Sequence, residues 1–139
     1  MKFSSNASPI FIVAILLAAC GAKSTDEEQV RALIASVETA AEARDASDVL
    51  EHVADDYSDS SGLDKHTLPN FLRGYFLSHP RLELLVDIES LEFPVDGLAR
   101  AVVGIATVEL GDPGMRRLKV EFRREGGQWL VARADRLDR

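Results

Sequence analysis

The spacing of hydrophobic residues after residue 24 is helical in the first half of the chain and alternating in the second. Thr25, with Glu28 three residues later, is typical of a helix start, because the threonine hydroxyl can accept the amide hydrogen bond of the third helical residue. The apolar positions that follow recur every three or four residues, and they are Val30, Leu33, Ile34, Val37, Ala40 and Ala41. This pattern predicts an amphipathic helix whose apolar face must pack against another element.

Two shorter helices and a polar loop complete the first half. A short helix is expected over Asp48 to Ala54, after a break in the pattern that offers a new cap. Residues 55–62 are rich in aspartate and serine and end in glycine, which is typical of a loop. A third helix is expected to start at a cap on Asp64 or Thr67 and to end near Leu77.

From Arg81 the hydrophobic residues alternate with polar ones, which is the spacing of a strand with one buried face. The phase of the alternation slips near Ser90, and one extra residue there predicts a β-bulge. Three further strands are expected over 99–110, 118–123 and 129–134. Because short turns join the four strands, we predict a curved antiparallel meander, and the helices before it make the fold α+β, with the helices packed on the sheet.

Residues 1–20 have the features of an export signal. Lys2 precedes an apolar run from Ile10 to Leu17, and Ala18 and Ala19 stand directly before Cys20, the single cysteine of the chain. The run is about half of the ~20 residues that span a bilayer, so a transmembrane helix is not expected. This arrangement resembles the signal of bacterial lipoproteins, in which the cysteine is joined to lipid and becomes the first residue.

The lipoprotein resemblance implies a signal peptide over 1–19, a lipidated tether over 20–24 and one folded domain over 25–139. Two or three acyl chains on Cys20 would hold the protein durably on a membrane. In Gram-negative lipoproteins an aspartate after the cysteine favours the inner membrane. Gly21 stands there, so the resemblance implies an outer-membrane protein that faces the periplasm. A signal for export in soluble form is the alternative.

Composition narrows the classes of partner. The chain has a formal net charge of −7 and no basic face with interleaved aromatics, so nucleic acid is not expected to bind. No phosphate-binding glycine-rich loop, dinucleotide fingerprint or histidine pair with metal spacing occurs, so we expect no cofactor and no metal. The aspartates of 55–64 lack the full calcium-loop spacing and are expected to cap turns. Four arginines on one predicted hairpin either dock on an acidic partner or lipid head groups, or protect strand edges: Arg116, Arg117, Arg123 and Arg124.

Two short motifs add to the order of elements. Residues 55–57, Asp-Asp-Tyr, with Asp59 and Gly62, lie in the acidic loop, and residues 125–129, Glu-Gly-Gly-Gln-Trp, form the last hairpin. In this order the chain resembles the nuclear-transport-factor-2-like superfamily over 25–135. The resemblance implies a cystatin-like cone, in which the sheet curls around the helices and leaves a pocket at its open end. That fold carries both enzymes and binding modules, so it does not select a function.

Three side chains are candidates for chemistry in such a pocket. Catalytic members of the superfamily place an aspartate or histidine, with a tyrosine or aspartate donor, inside the cone. His66 is a candidate general base, since imidazole exchanges protons near neutral pH, and Tyr57 and Tyr75 are candidate hydrogen-bond donors. Together with Phe71, the two tyrosines are also the candidate ligand contacts. The competing interpretation is a surface histidine and aromatics at the edge of the core.

The inward strand positions are mostly apolar, which predicts an apolar pocket or a filled core and counts against acid–base catalysis. We therefore expect a non-enzymatic binding or interaction module for a protein partner or a small apolar ligand. The alternative is a small isomerase, lyase or hydrolase. A homodimer through the outer face of the sheet is a further hypothesis, which uses four outward apolar positions: Leu85, Val102, Ala106 and Val108.

Overall fold

The structure of the protein, a computed structural model, describes residues 24–108 and 114–137. Within these residues the chain forms three helices and then four strands. They are α1 (Asp26–Glu42), α2 (Ala46–Glu51), α3 (Leu68–Ser78), β1 (Leu84–Val95), β2 (Leu98–Thr107), β3 (Met115–Glu125) and β4 (Gln128–Arg136). None of these helices has the length and hydrophobicity needed to cross a membrane. Cys20 and the whole predicted signal lie outside the described residues.

Both ends of α1 are fixed by hydrogen bonds that the sequence specifies. The Thr25 hydroxyl oxygen accepts the Glu28 amide at 3.2 Å, which confirms the predicted cap. At the other end Arg44 has a φ of 57°, a left-handed conformation that glycine usually takes. The amides of Arg44 and Asp45 donate to carbonyls of the last helical turn at 2.9 and 3.1 Å. These two bonds form a Schellman motif, which ends the helix sharply.

The second helix differs from its prediction at both ends. α2 begins earlier, because the Asp45 side chain serves as its N-cap. It ends at Glu51 because the next residues pair with β4. The Val131 amide donates to the His52 carbonyl at 2.8 Å, and the Ala54 amide donates to the Val131 carbonyl at 2.9 Å. A long-range contact therefore sets a boundary that the local pattern extends too far.

The four strands form one antiparallel sheet in the order β1-β2-β3-β4, which confirms the predicted meander and the α+β class. The register shifts between Ile88 and Ser90, where the alternation slips, and this confirms the predicted bulge. β2 ends at Thr107, before the predicted residue 110. Gly97, with a φ of 77°, supplies the left-handed conformation that the tight turn between β1 and β2 requires.

One face of the sheet, here called the inner face, packs against α1 and forms the main core. Its buried residues are Val30, Leu33, Ala99, Ala101, Val103, Val120, Phe122 and Trp129. A second cluster joins the end of α1 to α2, α3 and the start of β1, around Ala40 and Phe76. A third packs Val53, Tyr57 and Leu68 against β4. α1 therefore packs on the inner face, and the other two helices pack beside it. A site can form in the space between α1 and the sheet.

Candidate functional site

A cavity of about 200 Å³ lies between α1 and the inner face of the sheet. α1 contributes Ile34, Val37, Glu38 and Ala41, whose spacing places them on one side of the helix. All four strands contribute the rest of the lining: Leu84, Val86, Val103, Ile105, Leu118, Val120, Phe122, Val131 and Ala134. Twelve of these thirteen residues are apolar, and Glu38 is the exception.

The alternation of the strands explains this lining. Every second residue of a strand faces the same side, so Val86, Val103, Ile105 and Leu118 all face the helix. Val86 lies directly opposite Ile105, and Val103 lies directly opposite Leu118, on neighbouring strands. Ala41 of α1 and Ala134 of β4 have the smallest side chains of the lining. The apolar surface is therefore continuous but leaves space above it.

The cavity is partly open to solvent. Val103, Val120 and Phe122 are buried and form its floor. Leu118 and Ile105 are only half-buried, although they lie on the inner face. Because an apolar cavity of about 150 Å³ in a protein interior binds benzene, this space is large enough for a small ring or a short alkyl chain.

Glu38 is the single titratable side chain of the lining. It is half-buried and makes no hydrogen bond or ion pair with any residue in 24–108 or 114–137. A carboxylate beside apolar surface loses part of its hydration, and Glu38 gains no partner in return. The α1 side of the cavity therefore carries one carboxylate, that of Glu38.

Tyr57 lies outside the cavity lining. Its side chain is 5% exposed, and its hydroxyl donates to Asp59 Oδ2 at 2.8 Å. Burial raises the pKa of the Tyr57 phenol, and the hydrogen bond to the Asp59 carboxylate raises it further. Val131 and Ala134 contact the cluster around Tyr57 and also line the cavity. In this arrangement the phenol stays protonated and holds the acidic loop.

The other predicted site residues also lie outside the lining. Tyr75 stacks on His79 with ring centroids 4.0 Å apart, and Phe71, which is 53% exposed, stacks on Tyr75 at 6.4 Å. His66 is exposed in the turn before α3, where its amide donates to Asp64 Oδ1. The structure thus brings Phe71 and Tyr75 together and leaves His66 apart from them. The catalytic and ligand-contact roles of these residues stay predictions.

Asp59 and Asp64 accept hydrogen bonds from backbone amides a few residues further along the chain. Asp59 Oδ1 accepts two amides further along the loop at 2.9 and 3.1 Å. Asp64 Oδ1 accepts the His66 and Thr67 amides at 2.9 and 2.8 Å, and the bond from Thr67 chiefly lowers the pKa of this carboxyl below its usual range. In the part of the chain that the structure describes, no three His, Cys, Asp or Glu side chains are grouped to hold a metal ion.

The sequence patterns did not single out Glu38. It falls beside the apolar stripe of α1 rather than on it. The signal that points to it is its position four residues after Ile34, which places the two side chains next to each other on the helix. The alternation, by contrast, does anticipate the apolar strand positions of the lining.

The outer face of the sheet carries a short apolar row at one end. Ala106 lies directly opposite both Leu85 and Met115, and Leu85 is 63% exposed. Val102 lies two rows away, because the row of Gly104 comes between. The outward positions of the dimer hypothesis are therefore not one continuous patch, and the homodimer stays a prediction.

Comparisons with known proteins concern the fold. No family model matches the chain, and no curated protein matches it. A protein of unknown function with a cystatin-like fold from Nostoc punctiforme is similar at a TM-score of 0.67 and 16% identity, over 81% of this chain and 91% of that one. An NTF-2-like protein of unknown function from Shewanella oneidensis has a TM-score of 0.67 and 14% identity, over 82% and 100%. An uncharacterised protein with a cystatin-like fold from Caulobacter vibrioides has a TM-score of 0.62 and 17% identity, over 79% and 87%.

These similarities agree with the order of elements that the structure shows. Three helices come first, and a bulged four-stranded meander follows and packs its inner face on them. At identities below a fifth, the likeness extends to architecture and not to activity. The protein has the cystatin-like, NTF-2-like fold.

Proposed function

We propose that this protein is a membrane-anchored periplasmic lipoprotein whose domain binds a small apolar ligand in the cavity between α1 and the sheet. The lining carries the proposal, since twelve of the thirteen residues around the cavity of about 200 Å³ are apolar. An apolar ligand in this space removes its own surface and that of the lining from water, at about 25 cal/mol per Å². Small-molecule sites are in general concave, mostly apolar and largely pre-formed.

The same lining favours binding over catalysis. A general acid or base must come within about 3 Å of the proton that it transfers. Within the lining only Glu38 can titrate, and His66, Tyr57 and Tyr75 lie elsewhere. An isomerase, lyase or hydrolase that works through those residues, and a protein partner in place of a ligand, remain the alternatives.

Ligand binding is tested by titrating the purified protein with toluene and following methyl resonances by NMR. We expect the methyl groups of Ile34, Val103 and Leu118 to shift in a saturable way. Ile105→Phe should fill the cavity and abolish the shifts, while Val102→Phe, on the other face of the same strand, should leave them intact. Saturation that is equal in both variants would show that the ligand binds elsewhere.

The anchor is supported by the sequence around Cys20, which lies outside the described residues. Cells expressing the protein are labelled with radioactive palmitate, and the wild type is compared with Cys20→Ser. We expect label in the membrane fraction of the wild type alone. Equal labelling of the two proteins, or an unlabelled wild type that is soluble in the periplasm, would contradict lipidation. The proposed binding in the cavity does not depend on this result.

A further inference from the structure

We infer that the ligand of the cavity is an amphipathic anion, such as a carboxylate on a short alkyl chain, whose head group binds Arg116 at the end of the cavity. This inference rests on the proposed function, because it needs an apolar tail in the cavity. It adds the chemical class of the ligand and names the residue that selects it.

The register of the sheet places Arg116 beside the cavity. Arg116 lies directly opposite Ile105, which lines the cavity, and two residues before Leu118 on β3. Since alternate residues of a strand share a face, Arg116 continues the inner-face row of Phe122, Val120 and Leu118. Directly opposite residues have their Cβ atoms about 4.5–5.5 Å apart, so the Arg116 side chain leaves the backbone next to Ile105, at the edge of the apolar surface.

Arg116 also differs from five other arginines of the sheet in having no carboxylate partner among the described residues. Five strand arginines each form an ion pair within 4 Å, and they are Arg100, Arg117, Arg123, Arg124 and Arg133. Arg116 is exposed and makes no hydrogen bond or ion pair with a described residue. In an acidic chain with net charge −7, a guanidinium that lies beside an apolar cavity and pairs with no described carboxylate remains available to an anion.

A second cation lies on the same face. Arg136 is directly opposite Leu118 on β4 and is exposed, so it is the diagonal neighbour of Arg116 across the two strands. Diagonal neighbours lie about 7–8 Å apart, which lets two long side chains converge on one carboxylate. Each guanidinium can in addition donate two parallel hydrogen bonds to a carboxylate.

Glu38 is the opposing charge on the helix side of the cavity. If the Glu38 carboxylate makes the larger electrostatic contribution, a cationic ligand binds more tightly. If Arg116 and Arg136 make the larger contribution, an anionic ligand binds more tightly. The two outcomes predict opposite orders of affinity for ligands that share one tail and differ in the charge of the head group. This makes the sign of the preference measurable.

The test uses heptanoate, 1-hexanol and hexylamine, which share a six-carbon tail, titrated into the protein at neutral pH and low salt and followed by methyl NMR. A six-carbon tail should bind with a Kd of about 1 mM, since each buried CH₂ contributes about 0.8 kcal/mol before the costs of association. We expect heptanoate to bind about three- to tenfold more tightly than 1-hexanol, and hexylamine to bind most weakly. High salt should reduce the heptanoate preference.

Variants assign the preference to its residue. Arg116→Gln should remove the advantage of heptanoate without changing the affinity for 1-hexanol, and Glu38→Gln should increase heptanoate affinity. Arg117→Gln is the matched control, because that arginine is adjacent and on the outer face, where it pairs with Glu89. Urea denaturation shows whether each variant is folded.

Three results would overturn the inference: equal binding of heptanoate and 1-hexanol, tightest binding of hexylamine, or a heptanoate preference that persists in Arg116→Gln. Failure of 1-hexanol to bind at all would instead overturn the proposed apolar site. The two failures are therefore distinguishable in one set of titrations.

Discussion

Lys65 joins the turn before α3 to the C-terminal end of α2. Its half-buried ammonium donates to the Leu50 carbonyl at 2.9 Å and also to the Val53 carbonyl. Carbonyls at the C-terminal end of a helix lack intrahelical partners, and a positive charge there is favourable. Asp55 adds an ion pair at 3.7 Å, but its side chain is fully exposed and contributes little. We therefore expect Lys65→Met, which removes the ammonium and keeps the apolar stem, to destabilise the fold.

The structure gives the magnitude. A hydrogen bond to a charged group contributes about 1.5–3 kcal/mol, so two such bonds set an upper limit of about 6 kcal/mol. The Lys65 side chain is 30% exposed, and the Leu50 carbonyl also accepts the Val53 amide at 3.1 Å. Lys65→Met therefore mainly removes the hydrogen bond to the buried Val53 carbonyl. We expect a decrease of about 2 kcal/mol in the free energy of unfolding, or about 8 °C in Tm.

The assay is urea denaturation followed by circular dichroism at neutral pH, with thermal melts on the same proteins. Lys119→Met is the matched control, because Lys119 is exposed on the outer face and makes no hydrogen bond or ion pair with a described residue. The control should stay within about 0.5 kcal/mol of the wild type. If the two variants were equally stable, the ammonium of Lys65 would contribute nothing and the reasoning would be wrong.

Other contacts give smaller, separable effects. Arg44→Ala loses two hydrogen bonds from the guanidinium to backbone carbonyls and should cost about 1.5 kcal/mol in urea denaturation. Arg44→Gly should be about 1 kcal/mol more stable than Arg44→Ala, since glycine adopts the left-handed φ without strain, and equal stabilities would contradict that strain. Arg124→Gln should lower the free energy of unfolding and shift the emission of Trp129, over whose ring the guanidinium lies, whereas an unchanged spectrum would refute the contact. The hydrogen bond from Arg123 holds the pKa of Asp56 below its ordinary 3.8. At acidic pH the unfolded chain therefore binds more protons at Asp56 than the folded chain does. The stabilisation from this ion pair is complete above pH 3.8 and is lost as the pH falls through the lower pKa of the folded state. Thermal melts from pH 7 to pH 2 should therefore show an acid decline in Tm that is less steep in Asp56→Asn, and identical slopes would refute it.

Local sequence patterns were sufficient where the partners are close along the chain. The Thr25 cap depends on an amide three residues away, and the bulge at Ser90 depends on the phase of its own strand. The end of α2 depends on Val131, far along the chain, which pairs with the residues after Glu51. No helix propensity or cap in that segment contains this information, so the predicted helix continued too far.

The cavity was harder to predict than the fold, because empty space depends on the distance at which two packed elements are held. Alternation identifies Val103 and Ile105 as inward residues but does not say whether the side chains opposite reach them. A search by residue type selects tyrosines and histidines such as Tyr57 and His66. The lining consists instead of residues whose chemistry is the same as that of an ordinary core, with Glu38 as the exception.

The cavity persists because polar contacts fix α1 at both of its ends. At the N-terminal end the Arg124 guanidinium binds the Asp26 carboxylate at 3.1 and 3.2 Å. At the C-terminal end the Leu84 amide donates to the Glu42 carboxylate. The Arg44 guanidinium donates to the Phe76 carbonyl in the last turn of α3 and to the Pro80 carbonyl just after that helix. A helix held by its apolar stripe alone would move toward the sheet, since unfilled apolar volume costs about 24 cal/mol per Å³, or at most about 5 kcal/mol for this partly open space. Because these directional bonds hold the helix in place, the fold retains an apolar space whose unfavourable free energy a bound apolar ligand would offset.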